Sequence, residues 1–444
     1  MADRPIVKPS PISGFPEWLP EEKRVEDHLL AIIRRNFELF GFTAIETSAV
    51  ERKEVLAAKG VEAKEIYALS RLSAGEGEDP ATDIALHFDL TVPTARYVAQ
   101  NLGKLTFPFR RYQIQKVWRG ERPQAGRFRE FYQCDIDIIG NGSLSPLNDA
   151  ELPVVLHAIF TEMAIGRFLI RINNRKLLQG FLAGLGLEAK ACVAALRILD
   201  MLDKVGSEKV VRDLQTAAGL SEDGADTLMA FVTGPADLER LANASDNPLY
   251  QEGVAEITTL SDGLDALGMP RDAWAIDLTI ARGLDYYTGT VYETTLVDHP
   301  QVGSICSGGR YENLAETFTR HKLPGVGVSI GLSRLLSRLF DAGILTPGAK
   351  TAAKALVTVM DRDLLGDCLR VASALRRAGI ATEVFTEPKK IGQQLKYADQ
   401  KGFRYAILIG AQEAAAGTVI LKTLASGEQR TVAQTDLAGW LAGQ

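Results

Sequence analysis

The sequence predicts a protein of three parts: an α+β domain built on antiparallel strands, a helical insertion within it, and a C-terminal α/β domain. Three observations carry this reading. Two strand-like runs, Arg110–Trp118 and Glu130–Ile139, flank a polar Gly/Pro loop and read as antiparallel neighbours. From Leu178 to Met269 the patterning is helical, with no convincing strand. After a stretch at Leu345–Ala353 containing Pro, Gly and Thr, strand-like and helical segments alternate. With 444 residues the chain is long enough for each part to bury a core of its own.

Taken in order, Glu21–Phe40 carries apolar residues at helical spacing (Val25, Leu29, Ile32, Ile33, Phe37), and Gly41 can cap it in the left-handed conformation. Phe42–Val50 reads as a strand, Arg52–Gly60 as a short helix, and Ser73–Asp83, rich in Gly, Glu and Asp, as a loop. Strand Ile84–Asp89 and helix Val92–Asn101 precede the two strands already named. Leu147–Met163 is helical and Phe168–Asn173 a strand. Beyond the insertion, strands are expected at Ile276–Ala281, Val291–Leu296, Gly303–Ser307 and Gly327–Ile330, the last leading into helix Leu332–Ala342. The tail alternates strands Ala355–Met360, Thr382–Phe385, Tyr405–Ile409 and Val419–Leu421 with helices Leu364–Arg377 and Gln393–Lys401. These elements place the first domain at 1–178 and 270–345, the insertion at 179–269, a linker at 346–353 and the last domain at 354–444.

Fifty basic and 56 acidic side chains give a formal charge of −6, so non-specific attraction to a polyanion is not the dominant surface property. From Thr351 onward the balance is 12 basic against 9 acidic, which makes the tail the part suited to meet phosphates. Cys134, Cys192, Cys306 and Cys368 are far apart, and the five histidines show no ligand spacing. Neither a disulfide framework nor a structural zinc is supported. Asp3, Arg4 and several prolines stand where a secretory signal needs an apolar stretch, and no apolar run is long enough to span a membrane. A reducing, cytoplasmic compartment is expected. The P-loop and nucleophile-elbow motifs are absent.

The loop Arg119–Glu130 holds four arginines, and the strand after it presents Phe131, Gln133, Asp135 and Asp137 on one face, because strand side chains alternate. Guanidinium groups suit phosphates, whereas carboxylates and an amide suit an ammonium group. The pattern therefore points to an anionic nucleotide beside an α-amino group, with a solvated charged hairpin as the plainer alternative. A second cluster, Ala281–Gly289, contains Arg282, Asp285, Tyr286 and Tyr287, although Asp285 and Thr288–Gly289 could simply build a turn. In a third, Ser307–Tyr311, adjacent glycines either admit a ligand close to the backbone or make a tight connection. Gly325–Gly331 departs by one residue from a dinucleotide loop and reads as close strand packing, with Arg334 on the first turn of the following helix.

In this order, the segments resemble the class II aminoacyl-tRNA synthetases, and the particular words are similar to those of the histidyl-tRNA synthetase family. Gly41–Ser48 with the helix before it resembles motif 1, Trp118–Gln133 motif 2, and Gly327–Arg334 motif 3. Ala281–Tyr287 and Ser307–Tyr311 resemble the two words particular to the histidine enzymes. Neither class I signature, His-Ile-Gly-His nor Lys-Met-Ser-Lys-Ser, occurs. The chain departs from the family at Ser48 (usually proline), Ser333 (usually glutamate) and Gly120, where a larger residue is frequent.

The resemblance implies an antiparallel class II catalytic sheet, a helical insertion that clamps the acceptor stem, a C-terminal anticodon-binding domain and a C2 homodimer. It implies ATP and Mg²⁺, with histidine and tRNA(His) as the other substrates and a histidyl-adenylate as intermediate. Arg119 and Arg282 would act at the carboxylate and α-phosphate, Glu121 near the adenine amino group, and Phe131 on the adenine ring. Arg127 and Arg334 would hold the outer phosphates. Asp89, Thr91, Gln133 and Asp137 would surround the ammonium group, with Tyr286, Tyr287 and Tyr311 toward the imidazole. This chemistry needs positive charge around the α-phosphate and no general base, since the attacking carboxylate is already ionised. A histidine-binding regulatory subunit of ATP phosphoribosyltransferase shares part of the resemblance, but such proteins lack the C-terminal domain and usually the arginine corresponding to Arg282.

Overall fold

The computed structural model describes residues 7–57, 65–71, 83–122, 126–281, 287–313, 315–387 and 389–443. It contains two compact units, Met1–Glu17 with Leu29–Leu345, and Trp18–His28 with Thr346–Gln444.

The chain begins with helix α1 (Pro20–Leu39), β1 (Thr43–Ala44), β2 (Val50–Arg52), α2 (Lys53–Ala57), β3 (Ile84–Leu86) and α3 (Thr91–Gln100). The long hairpin β4 (Phe109–Trp118) and β5 (Glu130–Ile139) follows, then α4 (Asn148–Met163) and β6 (Phe168–Asn174). Seven helices come next: α5 (Arg175–Gly184), α6 (Ala189–Leu199), α7 (Leu202–Val205), α8 (Ser207–Ala217), α9 (Glu222–Thr233), α10 (Leu238–Ala242) and α11 (Pro248–Ala266). The first unit closes with β7 (Trp274–Ile276), β8 (Thr290–Leu296), β9 (Ser304–Tyr311), β10 (Gly325–Gly331) and α12 (Leu332–Asp341).

Its main sheet has the order β1-β4-β5-β10-β9-β8-β6-β7. The six inner strands are mutually antiparallel, and only the edge pairs β1/β4 and β6/β7 run parallel. The predicted hairpin forms in register, with Trp118 opposite Glu130 and Phe109 opposite Ile139. Helix α4 contributes Leu152, Val155, Leu156, Ile159 and Phe160, all fully buried, to the core on one side of the sheet. At its N-terminal end buried Asp149 pairs with Arg310 of β9 at 2.7 Å and accepts from Thr290 of β8 at 2.7 Å, tying the helix to two strands. The carboxylate is satisfied by a guanidinium and a hydroxyl, which is what a buried charge requires.

Three expected elements differ. Phe42–Val50 is not one strand: only Thr43–Ala44 pairs with β4, because the Gln113 and Gln115 side chains hold Thr47 at 3.0 Å each, replacing ladder bonds with side-chain bonds. The strand expected at Ile276–Ala281 stops at Ile276, where Asp277 accepts from the Thr279 amide at 2.9 Å and turns the chain. Ser304–Tyr311 is a strand throughout, longer than the expected Gly303–Ser307. The loop expected over Ser73–Asp83 and the end of the helix expected over Arg52–Gly60 lie largely outside the described residues.

The second unit contains β11 (Ala355–Val357), α13 (Leu365–Arg377), β12 (Thr382–Val384), α14 (Ile391–Lys401), β13 (Tyr405–Leu408), α15 (Ala411–Ala416), β14 (Thr418–Thr423), β15 (Gln429–Ala433) and α16 (Leu437–Ala442). Strands β12, β11 and β13 are parallel, and β14 and β15 extend the sheet antiparallel. Sequence patterning did not indicate β15, whose first three residues are exposed and which therefore lacks apolar alternation.

Candidate active site

A cleft of about 610 Å³ opens over the face of the first unit's sheet formed by β5, β10 and β9. It is lined by Asp89, Thr91, Arg119, Glu121, Arg127, Phe131, Gln133, Asp137, Tyr287, Tyr311 and Arg334, so the structure gathers into one place residues far apart in sequence. Arg282 and Tyr286 lie outside the described residues. Asp135, Ser329 and Arg338 complete its polar lining.

One end is cationic. Arg119 leaves the end of β4, donates to the Phe88 carbonyl at 3.0 Å, and holds its guanidinium 5.2 Å from the centre of the Phe131 ring. Glu121 is ion-paired with Arg127, and this bond, with Arg119 and Arg334 nearby, holds its carboxyl below the usual range. Arg334 and Arg338 stand one turn apart on α12. Arg338 was the residue to find from sequence, since it repeats Arg334 four positions on. Gly126, with φ of +71°, leaves room for it: a side chain there would meet the Arg338 Nε.

The other end is acidic. Asp89 accepts from the Val92 amide at 3.1 Å at the start of α3, and burial pushes its carboxyl up. Asp137 receives the Tyr311 hydroxyl at 2.9 Å and forms an ion pair with Arg111, which is 1% exposed. Burial raises the Asp137 carboxyl, and Arg111 and Tyr311 oppose the rise. The Gln133 amide donates to Ser329 at 2.9 Å, while its buried carbonyl oxygen has no partner among the described residues. An orphaned buried acceptor costs free energy, which a bound donor would recover.

Glycines make room for these groups. A Cβ at Gly327 would overlap the Asp137 carboxylate, and one at Gly325 would overlap the Tyr311 ring. The close packing expected at Gly325–Gly331 therefore serves site side chains. Gly308 and Gly309 do not form a connection between elements. They sit inside β9, where a side chain would strike the backbone of β10 or the Thr290 carbonyl and Tyr287 ring. Ser333, in the place of the family's usual glutamate, accepts from the Tyr132 amide at 3.0 Å and joins α12 to β5. Ser48 accepts from the Val50 amide at 3.2 Å, a local turn in place of a proline.

A cleft on an antiparallel sheet, with guanidinium groups around an aromatic ring at one end and buried carboxylates at the other, has the architecture of the class II aminoacyl-tRNA synthetases. Comparison with known proteins narrows this. The family model described as histidyl-tRNA synthetase matches residues 14–335, and one described as anticodon binding domain matches residues 348–444. A histidine–tRNA ligase of Xanthomonas campestris pv. campestris is 47% identical over 460 aligned positions, covering 98% of this chain and 96% of the relative. The crystal structure of histidyl-tRNA synthetase from Nostoc sp. PCC 7120 superposes with a TM-score of 0.91 at 46% identity, covering 99% of this chain and all of that one. The chain belongs to the histidyl-tRNA synthetase family. A protein from Bacillus halodurans described as an ATP phosphoribosyltransferase regulatory subunit/histidyl-tRNA synthetase shares the fold at a TM-score of 0.73 and 20% identity, covering 92% of this chain.

Proposed function

We propose that this chain ligates L-histidine to tRNA(His) in two steps, forming histidyl-adenylate from histidine and ATP and then transferring the histidyl group to the tRNA with release of AMP. The observation that carries the reading is the opposed charge within one cleft. Arg119, Arg127, Arg334 and Arg338 outnumber Glu121 at one end, and Asp89, Asp135 and Asp137 outnumber Arg111 at the other. A polyphosphate suits the first and an ammonium group the second, and the sheet holds both at fixed separation.

ATP would stack its base on Phe131, with Glu121 near the adenine amino group and Arg127 and Arg334 on the outer phosphates. Arg119 and Arg282 would flank the α-phosphate and stabilise the charge that gathers there as the histidine carboxylate attacks and pyrophosphate leaves. Asp89, Thr91, Gln133 and Asp137 would hold the ammonium group, and Tyr286, Tyr287 and Tyr311 would face the imidazole. Mg²⁺ would enter as a companion of the nucleotide, held by its phosphate oxygens and water. Glu121, the carboxylate lining that end, is engaged by Arg127, and the described residues include no group of three potential metal ligands.

The helical stretch 179–269 would grip the acceptor stem as an insertion into a catalytic domain of 1–178 and 270–345. Beyond a linker at 346–353, the part at 354–444 would read the anticodon. The motif 1 segment would form a C2 dimer, and a cytoplasmic location fits the reaction; no helix among the described residues is long and apolar enough to cross a membrane. The regulatory-subunit reading is disfavoured, because the chain carries the anticodon-binding part and matches histidine–tRNA ligases along nearly its full length.

Amino-acid-dependent ATP–pyrophosphate exchange, run with each of the twenty amino acids, tests the first step. Exchange with histidine alone is expected. Silence with all twenty, alongside measurable histidine binding, would return the regulatory reading.

A further inference from the structure

Asp135 stands in the middle of the row Phe131, Gln133, Asp135, Asp137 on β5 and lines the cleft, 3% exposed. Asp137, its neighbour in the row, has Arg111; Asp135 makes no ion pair among the described residues. Its nearest partners are neutral, the Ser329 hydroxyl on β10 and the Gln133 amide at 3.5 Å. On the remaining sides it faces Arg111 and Gln113 of β4, Asp89 before α3, and Cys306 of β9. Asp135 and Asp137 thus share one buried guanidinium, Asp89 lies between it and Arg119, and the Gln133 carbonyl oxygen beside Asp135 lacks a donor among the described residues.

The position along the row matters. The ammonium group of an amino acid is one carbon from its carboxylate, and the carboxylate must reach the α-phosphate at the Arg119 end. The ammonium group therefore falls on the part of the acidic floor nearest Phe131, at Gln133 and Asp135 with Asp89 and Asp137 flanking them, while the side chain extends toward Tyr311.

Resting on the activity proposed above, we infer that Asp135 is a substrate-binding group in its own right, whose carboxylate pairs with the ammonium group of the bound amino acid. Burial, with Asp137 and Asp89 nearby, pushes the Asp135 carboxyl up to about 7, against Arg111 and Ser329. A cation placed beside it favours the charged form and lowers that value. Histidine binding then releases about half a proton per site at pH 7, and affinity strengthens as pH rises toward neutrality.

Calorimetric titration of the full-length protein with histidine at pH 7, in phosphate and in Tris, reads the proton count directly. The wild type should release about half a proton more than Asp135→Asn, the imidazole of the histidine contributing alike to both, with the KM for histidine in exchange raised about tenfold or more in the variant and that for ATP unchanged. Ser329→Ala, which removes a hydroxyl that favours the charged form, should move the release profile to higher pH. Equal release from wild type and Asp135→Asn, an unchanged histidine KM, or no release from the wild type at any pH between 6 and 8 would overturn the inference. Absence of histidine-dependent exchange in the wild type would instead overturn the activity on which it rests.

Discussion

Replacing Arg111 by methionine tests how the acidic floor is held together. The guanidinium is buried and ion-paired with the buried Asp137 carboxylate, and two of its nitrogens have no hydrogen-bond partner among the described residues. Removing one partner of a buried pair costs roughly 3–5 kcal/mol, because the other charge is left uncompensated. For a unit of this size that corresponds to a fall in Tm of roughly 4–7 °C, taking the usual entropy of unfolding per residue. The sign with pH follows from Asp137. Its carboxyl is already raised by burial, and losing Arg111 raises it further. A carboxyl raised above its unfolded value penalises the folded state at high pH, and the penalty fades as pH falls and the group takes a proton. The fall in Tm by calorimetry should therefore be larger at pH 8 than at pH 5, and Asp137→Asn in the Arg111→Met background should recover most of it. An equal fall at both pH values, or a double variant no more stable than Arg111→Met alone, would refute the pairing as the source of the effect.

Two further substitutions separate the ends of the cleft. Phe131→Ala should raise the KM for ATP by about 5- to 150-fold, the ~1–3 kcal/mol of a base stacked on an aromatic ring, while the histidine KM stays within twofold; steady-state exchange kinetics measure both. Gly327→Ala places a methyl group on the Asp137 carboxylate and the Ile136 carbonyl, so it should cost about 1–3 kcal/mol of stability and raise the histidine KM. Thermal melts and exchange with unchanged values would remove Gly327 from the account.

Much of this architecture was legible because it rests on local patterns. The β4/β5 hairpin followed from two apolar runs around a polar loop, and alternation along Phe131–Asp137 placed four side chains on one face before any pairing was known. The helices of 175–266 followed from spacing. What escaped depended on contacts between distant segments. Arg111 looked like one more charge beside Arg110, and only the register, which sets it opposite Asp137, makes it a partner of the acidic floor. Ser329 and Gly327 acquired meaning when β10 was laid against β5. The adjacent glycines of Ser307–Tyr311 signal a close approach, and the structure shows a strand and a tyrosine ring packed against them. Thr47 left the expected first strand because glutamine side chains 66 and 68 positions away capture it, an event no window of sequence contains.

In the proposed activity the cleft and the anticodon-binding part together attach histidine to one tRNA. Incubating the full-length protein with ATP, Mg²⁺, labelled histidine and fractionated tRNA measures this directly. Label should appear as an acid-insoluble, alkali-labile ester in the tRNA(His) fraction alone and should depend on ATP. Label in no fraction, despite histidine-dependent ATP–pyrophosphate exchange, would contradict the claim.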